Sequence, residues 1–214
     1  MADLKLLYDA ILTGKHKIAA EITQVAIEEK LEPKELIDNY LIKAMEEIGD
    51  RFEKQQAFVP ELLMAGRAMK ASLSLLQPLL KGDEATSQLG TIVIGTVKGD
   101  LHDIGKNLVG SMFEGCGFQV VDLGVDADSD KFVTAVKEHG ANLVGLSALL
   151  TTTMPYMKTI IEGLKAAGLR DKVKVMVGGA PVSSSFAEEI GADGYSDSAN
   201  SAVIKAKELL GVAC

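Results

Sequence analysis

The stretch TIVIGTVKGDLHDIGKNLVG, residues 91–110, decides how the rest of the chain is read. Residues 91–97 are a short run of β-branched side chains and glycine, the composition of a parallel strand buried on both faces. Helix-compatible residues resume near Ile104. Between strand and helix, Asp100-Leu101-His102-Asp103-Ile104-Gly105 places an imidazole, two carboxylates and a flexible hinge where parallel-sheet proteins hold their ligands. Downstream, apolar strands keep alternating with helical segments. The spacing predicts strands over 91–97, 118–123, 142–147 and 172–177, with a short one at Gly194-Tyr195. Helices are expected over 105–116, 129–138, 154–167, 183–190 and 198–210. Five βα units joined by right-handed crossovers make an α/β fold, a Rossmann-type or flavodoxin-like five-stranded parallel sheet. In the flavodoxin-like strand order 2-1-3-4-5 the topological switch point lies between strands one and three. The loop carrying His102 and the loop beginning at Ser147 converge there, and Gly178-Gly179-Ala180 follows strand four.

Upstream, the first 80 residues carry only helix signals. Leu4, Leu7 and Ile11 recur at helical spacing until Thr13-Gly14, and Ile18, Ile22, Val25 and Ala26 form a second stripe. Pro33 suits the first turn of a third helix, with Leu36, Ile37, Tyr40, Leu41, Met45, Ile48 and Phe52 inward. Pro60 opens a fourth, with Leu62, Leu63, Ala65, Met69, Leu73 and Leu76 inward. These predict a small four-helix bundle. The polar connection 81–88 marks a boundary between a helical domain, 1–88, and an α/β domain, 89–214.

Net charge is −8, and each of those two segments carries 11 basic and 15 acidic residues, so no nucleic-acid partner is expected. The two cysteines, Cys116 and Cys214, give neither a metal-ligand spacing nor a disulfide framework, which fits a reducing cytoplasm. The first residues lack the order of a signal peptide, and no apolar run reaches the ~18 residues of a membrane span. A cytoplasmic protein with no membrane partner is the expectation.

From its own neighbourhood, His102 reads as a metal ligand, a general base or a surface histidine. Asp100, two residues away, can accept the second ring N–H, an arrangement that fixes the tautomer of a ligating imidazole. The glycines form neither G-x-G-x-x-G nor a Walker loop, and an acidic loop repels a pyrophosphate. Ser147 lies outside any G-x-S-x-G elbow. Strand three ends in Leu146-Ser147 rather than in a phosphoacceptor aspartate. Dinucleotide binding, serine hydrolysis and a phosphorelay receiver are thereby disfavoured.

Asp100-x-His102-x-x-Gly105, followed after 41 residues by Ser147-x-Leu149 and after 28 more by Gly178-Gly179, resembles the signature of cobalamin-binding domains that hold B12 base-off and His-on. Met45-x-x-Ile48-Gly49-x-x-Phe52-Glu53, Phe58-Val59-Pro60-Glu61 and Thr96-Val97-Lys98-Gly99-Asp100 are similar to the cap and module of methionine synthase and of the small corrinoid proteins of methanogens and acetogens. The resemblance covers nearly the whole chain.

It implies that His102 is the lower axial ligand to cobalt, oriented by Asp100, with Thr153 extending the relay. It implies that Asp103, Ile104 and Gly105 belong to the cofactor-binding loop. The displaced nucleotide tail would run between Ser147, Leu149 and Thr151 on one side and Gly178 and Gly179 on the other. Phe52, Val59 and Leu62 match positions that cover the upper corrin face. The function implied is a free-standing methyl carrier cycling between Co(I) cobalamin and methylcobalamin. A substrate-specific corrinoid methyltransferase would load it, and a tetrahydrofolate or coenzyme M methyltransferase would unload it. A reductive activase would restore inactive cobalt. A B12-dependent sensor or regulator is the alternative the same resemblance allows.

Overall fold

A computed structural model describes residues 2–80 and 89–212, so the polar connection 81–88 and Cys214 lie outside the described residues. The chain divides into two compact units, Met1–Leu89 with Ser111–Phe118, and Gly90–Gly110 with Gln119–Cys214.

The first unit holds α1 (Leu4–Leu12), α2 (His16–Glu28), α3 (Pro33–Leu36), α4 (Ile42–Glu53) and α5 (Val59–Leu76). The Asp3 carboxylate caps α1 by accepting from the Leu6 N–H at 2.9 Å. Pro33 sits in the first turn of α3, which runs through a single π-helical turn, Ile37–Leu41, into α4. Glu61 accepts from the Phe58 N–H at 2.8 Å and fixes the start of α5. Leu7, Ile11, Leu36, Leu41, Met45, Ile48, Leu62, Met69 and Leu76 form the core, as their helical spacing predicts.

Two expected faces differ. On α2 the buried residues are Ala19, Thr23 and Ala26, while Ile18 and Val25 are exposed and Ile22 is half-buried. Opposite, α5 buries Ala65, Ala68 and Ser72 alongside its larger residues. The two helices pack on each other, and small side chains let their backbones approach closely, so the bulky stripe turns outward. On α5, Leu63 is likewise exposed. Tyr40 and Phe52 are half-buried.

The second unit is a parallel sheet in the order β2-β1-β3-β4-β5, the flavodoxin-like order. Its strands are β1 (Thr91–Thr96), β2 (Gln119–Asp122), β3 (Leu143–Ser147), β4 (Lys174–Gly178) and β5 (Gly194–Ser196). The helices that connect them are α6 (Ile104–Gly115), α7 (Ser129–His139), α8 (Pro155–Ala166), α9 (Ser184–Ile190) and, last, α10 (Ala199–Leu210). Every residue of β1 is buried. Right-handed crossovers place α7, α8 and α9 on one face of the sheet. There Val93, Val144, Leu146, Val175 and Val177 pack with Phe132, Val136, Met157, Ile160 and Leu164.

The fourth strand starts two residues later than its sequence predicts, because Arg170–Lys172 form a 3-10 turn. Arg170 holds that turn through Asp193 at 2.9 Å and the Gly191 carbonyl at 2.7 Å. In register, Thr96 stands beside Ser147, Ser147 beside Gly178, and Gly178 beside Ser196. The carboxyl ends of four strands are thus aligned at one edge. Among the described residues, no helix is long and apolar enough to cross a membrane.

Candidate functional site

Asp100 lies in the loop leaving β1 at the switch point, and it is completely buried. Its Oδ1 accepts from His102 Nδ1 at 2.7 Å and from the His102 backbone N–H at 3.1 Å. Its Oδ2 accepts from the Leu149 N–H at 2.7 Å, the Leu150 N–H at 3.2 Å and the Thr153 hydroxyl at 2.8 Å. One carboxylate therefore ties the first loop of the sheet to the third. Burial alone pushes its pKa up. The bonds from Leu149, His102 and Thr153 outweigh that and hold Asp100 well below the usual carboxylate range.

An ionised Asp100 can only accept, so the shared proton sits on His102 Nδ1. In the neutral ring the remaining nitrogen, Nε2, is then the one that carries the lone pair, on a side chain that is 51 % exposed. The backbone aims it. The Thr96 hydroxyl donates to the His102 carbonyl at 2.8 Å, and the Asp126 carboxylate accepts from the Gly99 N–H at 2.7 Å. Asp126 adopts a left-handed conformation, φ 51°, and its own N–H donates to the Asp100 carbonyl at 3.1 Å. Sequence reasoning missed Asp126, because only the β1–β2 pairing brings it to this loop. It also missed Lys106, which is buried and donates to both oxygens of Asp122 at 2.6 and 2.7 Å.

Around His102 the surface is apolar and open. Leu101 is 72 % and Ile104 86 % exposed, with Leu149 and Leu150 also exposed. A side chain at Gly105 would meet nothing within 4 Å, so the fold leaves that position free. Gly179 is the opposite case: at φ 128° its missing Cβ would lie 1.9 Å from the Ala148 carbonyl oxygen. A Cβ on Gly178 would stand 3.1 Å from the Ser196 carbonyl oxygen. Loop packing demands the glycine at 179, while Gly178 fits closely against β5.

Asp103 accepts from the Asn107 side chain at 3.1 Å. Ser147 ends β3 half-buried, and its carbonyl accepts from the Val97 N–H at 3.0 Å, while Thr151 is exposed in the following loop. In the helical unit, Phe52 is half-buried and Val59 exposed, but Leu62 is 2 % exposed and spends its side chain on the bundle core. Among the described residues no group of three His, Cys, Asp or Glu side chains could hold a metal ion. One exposed imidazole with a fixed tautomer, bordered by open apolar surface and an empty glycine position, suits a metal whose other ligands come from a flat macrocycle.

The B12 binding domain models match residues 90–204 and 4–77. A corrinoid protein of Desulfitobacterium hafniense is 44% identical over 213 residues, covering 99% of both chains. The chain belongs to the corrinoid proteins. This corrinoid protein is also 47% identical to the dimethylamine corrinoid protein of Methanosarcina barkeri, over 97% of each chain. Among solved structures, it superposes on a chain of the methanol:cobalamin methyltransferase complex of Methanosarcina barkeri. The TM-score is 0.82 at 28% identity, covering 97% of this chain and 79% of that one. Its cofactor is accordingly a corrinoid.

Proposed function

We propose that this corrinoid protein is a methyl carrier of the cytoplasm, loaded by a substrate-specific methyltransferase and unloaded by a second one. The observation that carries the reading is the Thr153–Asp100–His102 chain, which leaves Nε2 of an exposed imidazole as a lone-pair donor in an apolar surround. A corrinoid cobalt held by His102 would supply the nucleophilic centre for methyl transfer. His102 would take the place of the cofactor's own base, which would hold the corrinoid base-off and His-on. Asp100 keeps the proton on Nδ1 and Thr153 steadies Asp100.

Leu101, Ile104 and Leu149 offer apolar surface to the ring, and Gly105 leaves room for it. Ser147, Thr151, Gly178 and Gly179 border the path of the nucleotide tail. Phe52 and Val59 are the helical unit's apolar candidates for shielding the methyl group, while Leu62 serves that unit's core. Residues 1–88 act as the cap and 89–214 as the cofactor module. Relatives named for dimethylamine and for methanol point to a small methylated amine or alcohol as the donor class. Tetrahydrofolate or coenzyme M is the acceptor class, and a reductive activase rescues oxidised cobalt.

The test is anaerobic reconstitution with hydroxocobalamin, followed by EPR of the Co(II) form. Stoichiometric binding with splitting from one axial nitrogen, lost in His102→Ala, is the expected result. Retention of the same splitting in that variant removes His102 as the ligand.

A further inference from the structure

We infer that Asn200 donates a hydrogen bond to the nucleotide tail of the bound corrinoid, an assignment that rests on the corrinoid-binding reading above. Asn200 stands in the first turn of α10 and is 5 % exposed. Its amide nitrogen is buried and has no hydrogen-bond partner among the described residues. An unpaired buried amide destabilises the fold, a cost that an alanine at the same position of a packed helix would avoid. Ala199, Ala202, Val203 and Ala206 on α10 are buried with it, as is Lys207 further along the helix.

The location gives the orphan donor a target. Ser196 ends β5 beside Gly178, which ends β4 beside Ser147, and α10 begins three residues beyond Ser196. Asn200 therefore enters the fold at the strand edge where Ser147 and Gly178 border the tail path. The end of α10 adds to the attraction. The Ser198 hydroxyl accepts from the Ser201 N–H at 3.1 Å, but the other N–H groups of a first helical turn have no partner inside the helix, and the helix dipole is positive there. A buried amide N–H beside such a turn suits an acceptor oxygen, and the phosphodiester and ribose of the tail supply several.

The experiment compares hydroxocobalamin with tail-less aquocobinamide, titrated against the full-length wild type, Asn200→Ala and Asn200→Asp. Thermal unfolding of each apoprotein is measured in parallel. Asn200→Ala is expected to weaken hydroxocobalamin about tenfold while leaving cobinamide unchanged. Its apoprotein should unfold at the same temperature as wild type or higher. Asn200→Asp, which keeps the shape and loses the donor, should weaken hydroxocobalamin at least as much. If wild type binds hydroxocobalamin and both variants match it, or if both corrinoids weaken equally, the Asn200 assignment falls alone. If wild type binds neither corrinoid, the reading of the whole site falls with it.

Discussion

Asp100 shows how much one side chain decides. Its carboxylate is the shared acceptor for three backbone N–H groups, a hydroxyl and an imidazole. Asp100→Ala leaves the Leu149 N–H and the Thr153 hydroxyl without that acceptor in a buried place. The apoprotein should lose about 1.5–3 kcal/mol in urea unfolding, the range for hydrogen bonds to a charged group. His102→Ala removes a half-exposed ring and should cost less than about 1 kcal/mol, so stability and cofactor ligation separate between the two variants. The glycines divide in the same way. Gly105→Ala should stabilise the apoprotein by up to about 1 kcal/mol, since α6 gains a better helix former and nothing is struck, yet it should weaken corrinoid binding. Gly179→Ala forces a Cβ into the Ala148 carbonyl at positive φ and should destabilise the fold by about 2 kcal/mol or more, with or without ligand. Paired denaturation and titration curves distinguish these outcomes.

At the level of elements, two contacts set the helical unit. Tyr8 on α1 donates its hydroxyl to Glu47 on α4, which also holds Arg51. Burial first, then the hydrogen bond and charge of Glu47, push the Tyr8 pKa up to about 12. The folded value lies above the unfolded value of about 10, so this contribution to stability is full below pH 10 and is lost as pH rises through 12. Glu47 is shifted the other way, chiefly by the Tyr8 hydrogen bond, and its contribution fades as pH falls below the ordinary carboxylate range. Tyr8→Phe should flatten the alkaline limb of the melting temperature between pH 10 and 12. The second contact is the small-residue seam between α2 and α5. Ala26→Leu should cost about 1–3 kcal/mol by overpacking, whereas Ile18→Ala, on the exposed side of α2, should stay within about 0.5 kcal/mol. An unchanged midpoint for Ala26→Leu in urea would mean that the seam is looser than its buried alanines indicate.

For the whole molecule the corrinoid should act as a stabilising ligand, because a cofactor that binds the folded chain and not the unfolded one shifts the equilibrium toward the fold. At a free concentration 100 times its dissociation constant, hydroxocobalamin should raise the unfolding free energy by about 2.7 kcal/mol, and a titration of melting temperature against ligand checks the slope. The sequence by itself determined the two-part architecture, the parallel sheet and its switch point, and the family. Those properties are written in local signals: a change of hydrophobic period from helix to strand alternation, and a motif of fixed spacing. Tertiary structure decided which apolar residues are spent on cores. Leu62 is buried, while Ile18, Leu63, Leu101 and Ile104 are not. It separated Gly105, which the fold leaves free, from Gly179, which the fold requires. It also brought Asp126 and Leu149 to the loop of Asp100. Periodicity records that a residue is apolar or that a turn is needed, but packing depends on how closely two backbones approach. A hydrogen bond between loops some 50 positions apart, such as that from Leu149 to Asp100, exists only after the sheet has set its strand order.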